Sequence, residues 1–553
     1  MHKHCEISTE SCVFRGTCRQ SWLPPFLGRF AALLLFLIFS RPCAAIVYVD
    51  QDQPGGNGTS WAQAYRTLDD AISNNHTPQE FWIAEGTYTP AASLILGSGQ
   101  NHSFYGGFAG TETARSQRNI TAHPTIVDGR GVLKHVFNVT SWVTSVRFDG
   151  LTIKRGAATA AAGADASGGG VVVNQGAVVI ASCTFTDNRA THLGGAVYLV
   201  NNPSITITGS TFRNNTLSGA GGGAGVAMTW DQAGAQPAAT IEKCTFQGNT
   251  GGSLGGGVYS LLFPVMIRES TFIANSAANG GAIMLDYKLS GADRIERCLF
   301  SGNTATERGG AICSYARSVE IENSVFAYNS TALSGGGVGL HSGVNTADYN
   351  SGYSGTFRNC TFYGNNADVY GGGIQNIGGK PMYIYNSIFW DNTAPSYWQD
   401  AADRASNDIA NHDVQGKPPA PATVHYTDME TLGWQNPPAY VNQVGSFFED
   451  PLCSDPDGSD NIPGTADDNL SIPDSSPCTD RADGNYAPAT DMVLRGRVDI
   501  GSVPNLGVGT PNYADIGAYE GPYSPPVFIP PPVVPDGVNM VPVLNLLLSR
   551  RAR

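Results

Sequence analysis

From Cys183 to Asn392 one phrase keeps returning: Cys or Ser, a strand former, Phe, two residues and Asn, then about nine residues on a Gly-Gly pair, a small residue and Val or Ile. The Phe/Asn pairs are Phe185/Asn188, Phe212/Asn215, Phe246/Asn249, Phe272/Asn275, Phe300/Asn303, Phe326/Asn329, Phe362/Asn365 and Phe389/Asn392. Successive Phe residues stand 27, 34, 26, 28, 26, 36 and 27 positions apart. A period of this kind decides the architecture before any local propensity does.

A unit of about 27 residues, with short apolar stretches such as 197–200, 205–207 and 211–212 split by turn residues, cannot bury a face alone. It must stack on copies of itself. The unit is too short for a propeller blade, and its apolar stretches lack a 3.6-residue period. The expectation is one coil of an all-β, single-stranded parallel solenoid per unit. In such a coil each Phe points inward and stacks on the next, roughly 4.8 Å away, while each Asn sits in a turn and bonds the Asn above and below. The Gly pairs suit corners where a Cβ would clash. Insertions fall at corners, which accounts for the 34 and 36 steps. The alternating slot Cys183, Ser210, Cys244, Ser270, Cys298, Ser324, Cys360 and Ser387 reads as a column of small buried side chains, since no C-x-x-C spacing suggests a metal site.

Charge narrows function. With 32 Lys+Arg against 46 Asp+Glu, the formal net charge of −14 excludes a basic nucleic-acid binder. The leader carries Lys3, Arg15, Arg19 and Arg29 before an apolar run at 31–39 that ends at Cys43-Ala44-Ala45. Residues 1–45 read as a secretory signal peptide, the run being too short to span a membrane.

The phrase C-T-F-x-x-N followed by G-G-A-I resembles the repeat of chlamydial polymorphic outer-membrane proteins and of secreted bacterial β-helix repeat proteins of the pectin-lyase-like superfamily. The segments Val47-Tyr48-Val49-Asp50, Phe81-Trp82-Ile83-Ala84-Glu85-Gly86-Thr87-Tyr88 and Tyr105-Gly106-Gly107-Phe108 resemble the opening of the same family. The resemblance implies a right-handed parallel β-helix with an extracellular or outer-surface location. Residues 46–147 are then an N-terminal cap and first coils, with a short amphipathic helix at 66–74 turning Leu68, Ala71 and Ile72 inward. Residues 148–399 are the repeat array. Residues 400–521 form an acidic region expected to close the last coil, and Asp515-Ile516-Gly517-Ala518-Tyr519-Glu520 resembles a choice-of-anchor ending. A Pro-rich linker and a short apolar, basic tail fill 522–553, the route for any membrane association.

In the acidic region, Asp455, Asp457, Asp460, Asp467 and Asp468 surround Gly458. Two readings stand: a loop that wraps a structural calcium through its oxygens, or a solvated acidic loop. No other cofactor is expected. Cys453 and Cys478 are spaced so that a disulfide would close a loop of about 25 residues in an exported protein.

Strand alternation after each Gly-Gly-x-Val/Ile turns every second side chain outward. On that register Tyr198, Tyr259, Met284, Asp286, Tyr315, His341 and Gln375 line one outer face, with Lys288 just past it. Aromatic rings with carboxylate and amide partners suit an extended sugar chain. The primary expectation is a monomeric surface scaffold or adhesin that binds polysaccharide or another envelope component. The alternative is a lyase acting by β-elimination on an acidic glycan through Asp286, Lys288, Tyr315 and His341. A purely structural coat component is the third.

Overall fold

The computed structural model describes residues 45–521 except 162, 233–236, 288–291, 342–352, 378–380, 395–406, 413–420, 431–440 and 466. The leader before residue 45, Lys288 and the segment 522–553 lie outside the described residues.

The chain winds as a right-handed parallel β-helix. A typical coil runs through Ile283–Asp286, Asp293–Glu296, Leu299–Ser301 and Thr304–Arg308. Each segment pairs in parallel with its counterpart one coil on. Four sheets result. The first has 14 strands, from Ala45–Val49 to Val441–Val444; the second has 12, from Gly86–Tyr88 to Asp428–Met429; the third has 8 short strands; the fourth has 11, from Leu94–Leu96 to Ile409–His412. Coils therefore run beyond residue 399, where the sequence period fades. Both long steps in the period fall between a fourth-sheet strand and the next first-sheet strand, at 229–239 and 341–355.

The eight repeat side chains Phe185, Phe212, Phe246, Phe272, Phe300, Phe326, Phe362 and Phe389 are all buried in one interior column on the second sheet. Their ring centroids lie 4.6–5.0 Å apart with planes within 10° of parallel.

Beside the rings runs the Asn ladder, each side-chain amide donating to the Asn Oδ1 one coil on. Asn188 donates to Asn215 at 3.1 Å, Asn215 to Asn249 at 2.9 Å, and Asn249 to Asn275 at 2.9 Å. The ladder continues from Asn275 to Asn303 at 3.0 Å, Asn303 to Asn329 at 2.9 Å, Asn329 to Asn365 at 2.9 Å, and Asn365 to Asn392 at 2.9 Å. Asn392 ends it by donating to Asp408 Oδ1 at 3.0 Å. The second amide hydrogen goes to a Phe carbonyl of the preceding coil, as from Asn215 to Phe185 and from Asn365 to Phe326. Each Oδ1 also accepts a backbone N–H from the preceding coil's Asn: Asn249 from Asn215, Asn329 from Asn303, and Asn365 from Asn329. These amides therefore spend their bonds inside the protein. Asn215, Asn249, Asn329 and Asn365 are 0% exposed and closed to any ligand. Neighbouring coils satisfy each buried amide without water, which makes it cheap to bury.

In the Cys/Ser column, the Cys244 and Cys298 backbones donate to the hydroxyls of Ser270 and Ser324. At the corner, Gly309 takes φ 64°, and a Cβ there would lie 2.2 Å from the Ile312 carbonyl oxygen.

The short helix Leu68–Ser73 buries Leu68, Ala71 and Ile72 over the first coil, with Thr67 accepting from the Asp70 N–H as its cap. One interior feature escapes the sequence period. Arg317, wholly buried, pairs with buried Asp293 across adjacent coils and donates to the carbonyls of Ser260 and Phe263. Losing either partner would strand a charge in the core.

Only the later part of the acidic region, residues 447–521, leaves the coil stack. It lies as a strap along the outer flank of the second sheet, where the flank turns apolar: Leu299, Val325, Ala327, Tyr328 and Tyr363 pack with Leu470 and Ala518, and Ile388 and Trp390 with Ile472 and Ile516. Three Asn side chains at solenoid corners tie it down. Asn323 Nδ2 donates to the Thr490 carbonyl at 2.8 Å, Asn359 Nδ2 to the Asp515 carbonyl at 2.9 Å, and Asn386 exchanges bonds with the Asp483 backbone at 2.9 and 2.8 Å. In earlier coils the same corner carries Lys243, Glu269 and Arg297.

Candidate functional site

The fourth sheet turns the residues singled out by alternation outward, in two columns. One runs through Tyr198, Ala227, Tyr259, Met284, Cys313, Gly339 and Gln375; the other through Thr229, Leu261, Asp286, Tyr315 and His341. The direction is as alternation requires, but the exposure is not. Tyr259 is 5% exposed, His341 5%, Asp286 9% and Gln375 1%. The chain approaching each glycine corner forms a further row of parallel bridges, Leu193 to Gly222 to Leu254 to Asn279, and Leu193 and Leu254 pack onto Ala227, Tyr259, Met284 and Cys313. The expected open stripe is therefore covered in part: Tyr259 and Met284 lie under a row of chain that alternation does not reveal, while Tyr198 and Tyr315 stay part exposed.

Within that stripe Asp286, Tyr315 and His341 occupy three successive coils. Tyr259 Oη donates to Asp286 Oδ2 at 3.3 Å, and burial raises the Asp286 carboxyl above its ordinary range. Tyr287 meets Tyr315 edge-on at 5.4 Å. A raised carboxyl bonded to a phenol, with an imidazole two coils on, has the residue types for proton transfer.

The acidic loop brings Asp460, Asp467 and Asp468 around the Thr465 hydroxyl. Asp467 accepts from Ser459 Oγ at 2.7 Å and Thr465 Oγ at 2.6 Å; Asp460 accepts the Ile462 N–H and Asp468 the Gly464 N–H. Those hydroxyls and amides hold the Asp467 carboxyl down at about 2, while burial pushes Asp468 up to about 7. Asp455 meets Asn469 in an antiparallel bridge, and among the described residues no group of three or more acidic, His or Cys side chains is placed to hold a metal ion. Of the carboxylates named for a structural calcium, Asp455, Asp457, Asp460, Asp467 and Asp468, those of Asp460, Asp467 and Asp468 accept hydrogen bonds from the loop's own hydroxyls and amides. Cys453 and Cys478 are free thiols, not a disulfide. They pack in different apolar clusters, and Cys478 Sγ donates to Asp428 at 3.2 Å.

The face that stays open is the outer side of the first sheet. One column carries Glu242, Arg268, Glu296, Glu322, Arg358, Tyr385 and His425. Its charges cancel in pairs: Arg268 with Glu242 at 2.9 Å, Arg297 with Glu269 and Glu296, Arg358 with Glu322 at 2.8 Å. The neighbouring column carries Thr206, Thr240, Met266, Arg294, Glu320, Thr356, Tyr383 and Thr423. Nothing in the repeat phrase flagged this face, because it lies between the recurring Gly and Phe signals of each unit.

The chain matches the family model of the right handed beta helix region over residues 94–286 and that of the Chlamydia polymorphic membrane protein repeat over residues 297–315. Among solved structures, the chain is similar to the crystal structure of pectate lyase Pel9A at 12% identity and a TM-score of 0.37, with 86% of this chain and 96% of that one covered. It is also similar to the catalytic domain of a GH87 alpha-1,3-glucanase in complex with tetrasaccharides, at 12% identity and a TM-score of 0.26, covering 78% and 69%. No curated protein sequence matches the chain.

Proposed function

We propose that the protein is an exported, cell-surface or extracellular β-helix scaffold that holds a polysaccharide against the outer face of its first sheet. The observation that carries this reading is the face itself: parallel strands from Ile205–Thr208 to Ala422–His425 stacked into one repeating surface whose charges are neutralised in pairs and whose other groups include Thr hydroxyls and the rings of Tyr383 and Tyr385. Strands advance about 4.8 Å each, so equivalent side chains recur along the axis as sugar units recur along an extended chain. Residues 1–45, with their apolar run, supply the export signal of this reading, and the rod acts as a monomer. Affinity electrophoresis of the purified protein through gels containing soluble polysaccharides tests it. Retardation by at least one glycan is the expected result, and migration unchanged in all of them overturns it.

A second reading, β-elimination on an acidic glycan, is supported by the placing of Asp286, Tyr315 and His341 on successive coils beside Tyr259. Incubation with polygalacturonate or alginate distinguishes the two. A growing ultraviolet absorbance from unsaturated uronates, lost in Asp286→Asn, would establish catalysis.

A further inference from the structure

We infer that the solenoid and the strap together build one sugar-binding subsite, where Tyr486 of the strap stacks on Tyr385 of the first sheet. The inference rests on the polysaccharide reading above and names the place and the ligand class.

The rings of Tyr385 and Tyr486 lie 4.0 Å apart and 13° from parallel, and both remain part exposed. His425, one coil on from Tyr385, meets that ring edge-on at 5.6 Å, and the Arg358 guanidinium, one coil back, lies 5.9 Å from its centre. Tyr383 points outward two residues earlier on the same strand. Between Thr206 and Arg358 these columns carry Thr, Glu, Arg and Met; the rings of Trp82 and Tyr105 at the N-terminal end of the same face are buried under Trp61 and Phe108, and part-exposed rings stand at Tyr383 and Tyr385, where the strap reaches the edge.

The strap does not merely rest there. Asn386 and Asp483, neighbours of the two tyrosines, exchange reciprocal hydrogen bonds. The Asp483 carboxylate accepts the Asn485 N–H, and the Asp483 carbonyl accepts the Tyr486 N–H at 3.0 Å, making a tight turn that presents the ring. A platform of rings held by backbone on both sides is preorganised, which lowers the ordering cost of binding. Aromatic faces take the C–H faces of pyranose rings, and the exposed Asn485 amide and the Thr423 hydroxyl, part exposed on the strand that carries His425, offer hydrogen bonds to sugar hydroxyls.

Charge selects the class. Arg358 is already committed to Glu322, and the chain carries a net charge of −14. A polyuronate would meet repulsion with no uncommitted cation among the described residues of this patch to offset it, so the ligand is a neutral polysaccharide.

The test is affinity electrophoresis and calorimetric titration of the full chain with laminarin, xylan, galactomannan and dextran, against polygalacturonate and alginate as the acidic arm. The expected result is binding to a neutral glycan that falls roughly five- to tenfold in each of Tyr385→Ala and Tyr486→Ala, with the melting temperature kept. Tyr383→Ala, on the solenoid side alone, serves as the variant that leaves the strap seated, and is expected to weaken binding as well. Ile95→Ala, exposed on the first strand of the fourth sheet and far from this patch, should bind as the parent does. Binding to a glycan that survives all three tyrosine changes overturns the subsite and leaves the scaffold reading standing. Preference for the acidic arm overturns the charge argument, and no binding to any glycan overturns both readings.

Discussion

The repeat array and the strap are built on opposite principles within one chain. In the array the recurring buried groups meet their repeat counterparts one coil away: Phe on Phe, Asn on Asn, Ser hydroxyl under Cys backbone. Stability there is a sum of nearest-neighbour terms, and removing one member damages two interfaces. In the strap, regular strands are absent among the described residues, and order comes from docking onto the apolar flank and from buried carboxylates that cap backbone N–H groups. Repetition makes a rod that specifies itself, whereas the strap is specified by the rod.

Phe300→Ala should produce the largest effect that sharpens this contrast. Phe300 is wholly buried between Phe272 and Phe326, and its truncation is expected to cost roughly 3–5 kcal/mol in denaturant unfolding. A loss below about 1 kcal/mol would mean that the column does not carry the array. A smaller effect is expected for Asn359→Ala, which removes the bond to the Asp515 carbonyl and should cost about 1–3 kcal/mol. It should speed limited proteolysis within 447–521 while the circular dichroism of the solenoid is kept. Cooperative loss of both signals together would show that strap and array are one unit.

The gentlest probe is pH. Burial pushes the Asp428 carboxyl up to about 7 and Asp480 up to about 6, and raises Asp515, which faces Glu520. Asp474, Asp499 and Glu520 surround Asp480, while Arg481 and Glu449 lie near Asp428. Carboxyls raised in the folded state stabilise it fully below their unfolded value of about 4, and that contribution is lost as pH rises through 6–8. Strap docking should therefore be tightest in mild acid and loosen toward pH 8–9, read as faster proteolysis of the strap with the array intact. Strap cleavage at a constant rate across that range would show these carboxyls stay neutral or are solvated.

The array was legible because its signal repeats: Phe and Asn at fixed offsets leave no other architecture able to bury them. The strap left a fainter trace. Lys243, Glu269 and Arg297 give way to Asn323, Asn359 and Asn386 at one corner, and Thr-Phe-Arg at 211–213 gives way to Val-Phe-Ala at 325–327 and Ile-Phe-Trp at 388–390. A corner losing its charges as its flank turns apolar marks a covered surface, but the sequence does not say which segment covers it. Two features had no trace of this kind. The Arg317–Asp293 pair obeys no repeat spacing, and the row of chain over Tyr259 and Met284 hides side chains whose direction alternation gives correctly.

The described chain ends at Gly521, whose N–H donates to Asp515 and whose carbonyl accepts from Arg495, while neighbouring Glu520 holds Arg497 against Asn323. That point lies beside the strand at 325–327, with three further strands of the second sheet still to come. Any mechanical load applied through residues beyond 521 would enter the rod at its side. It would be shared in shear by the bonds at Asn323, Asn359 and Asn386 instead of peeling the terminal coil, and a rod moored there would lie broadside to whatever holds it.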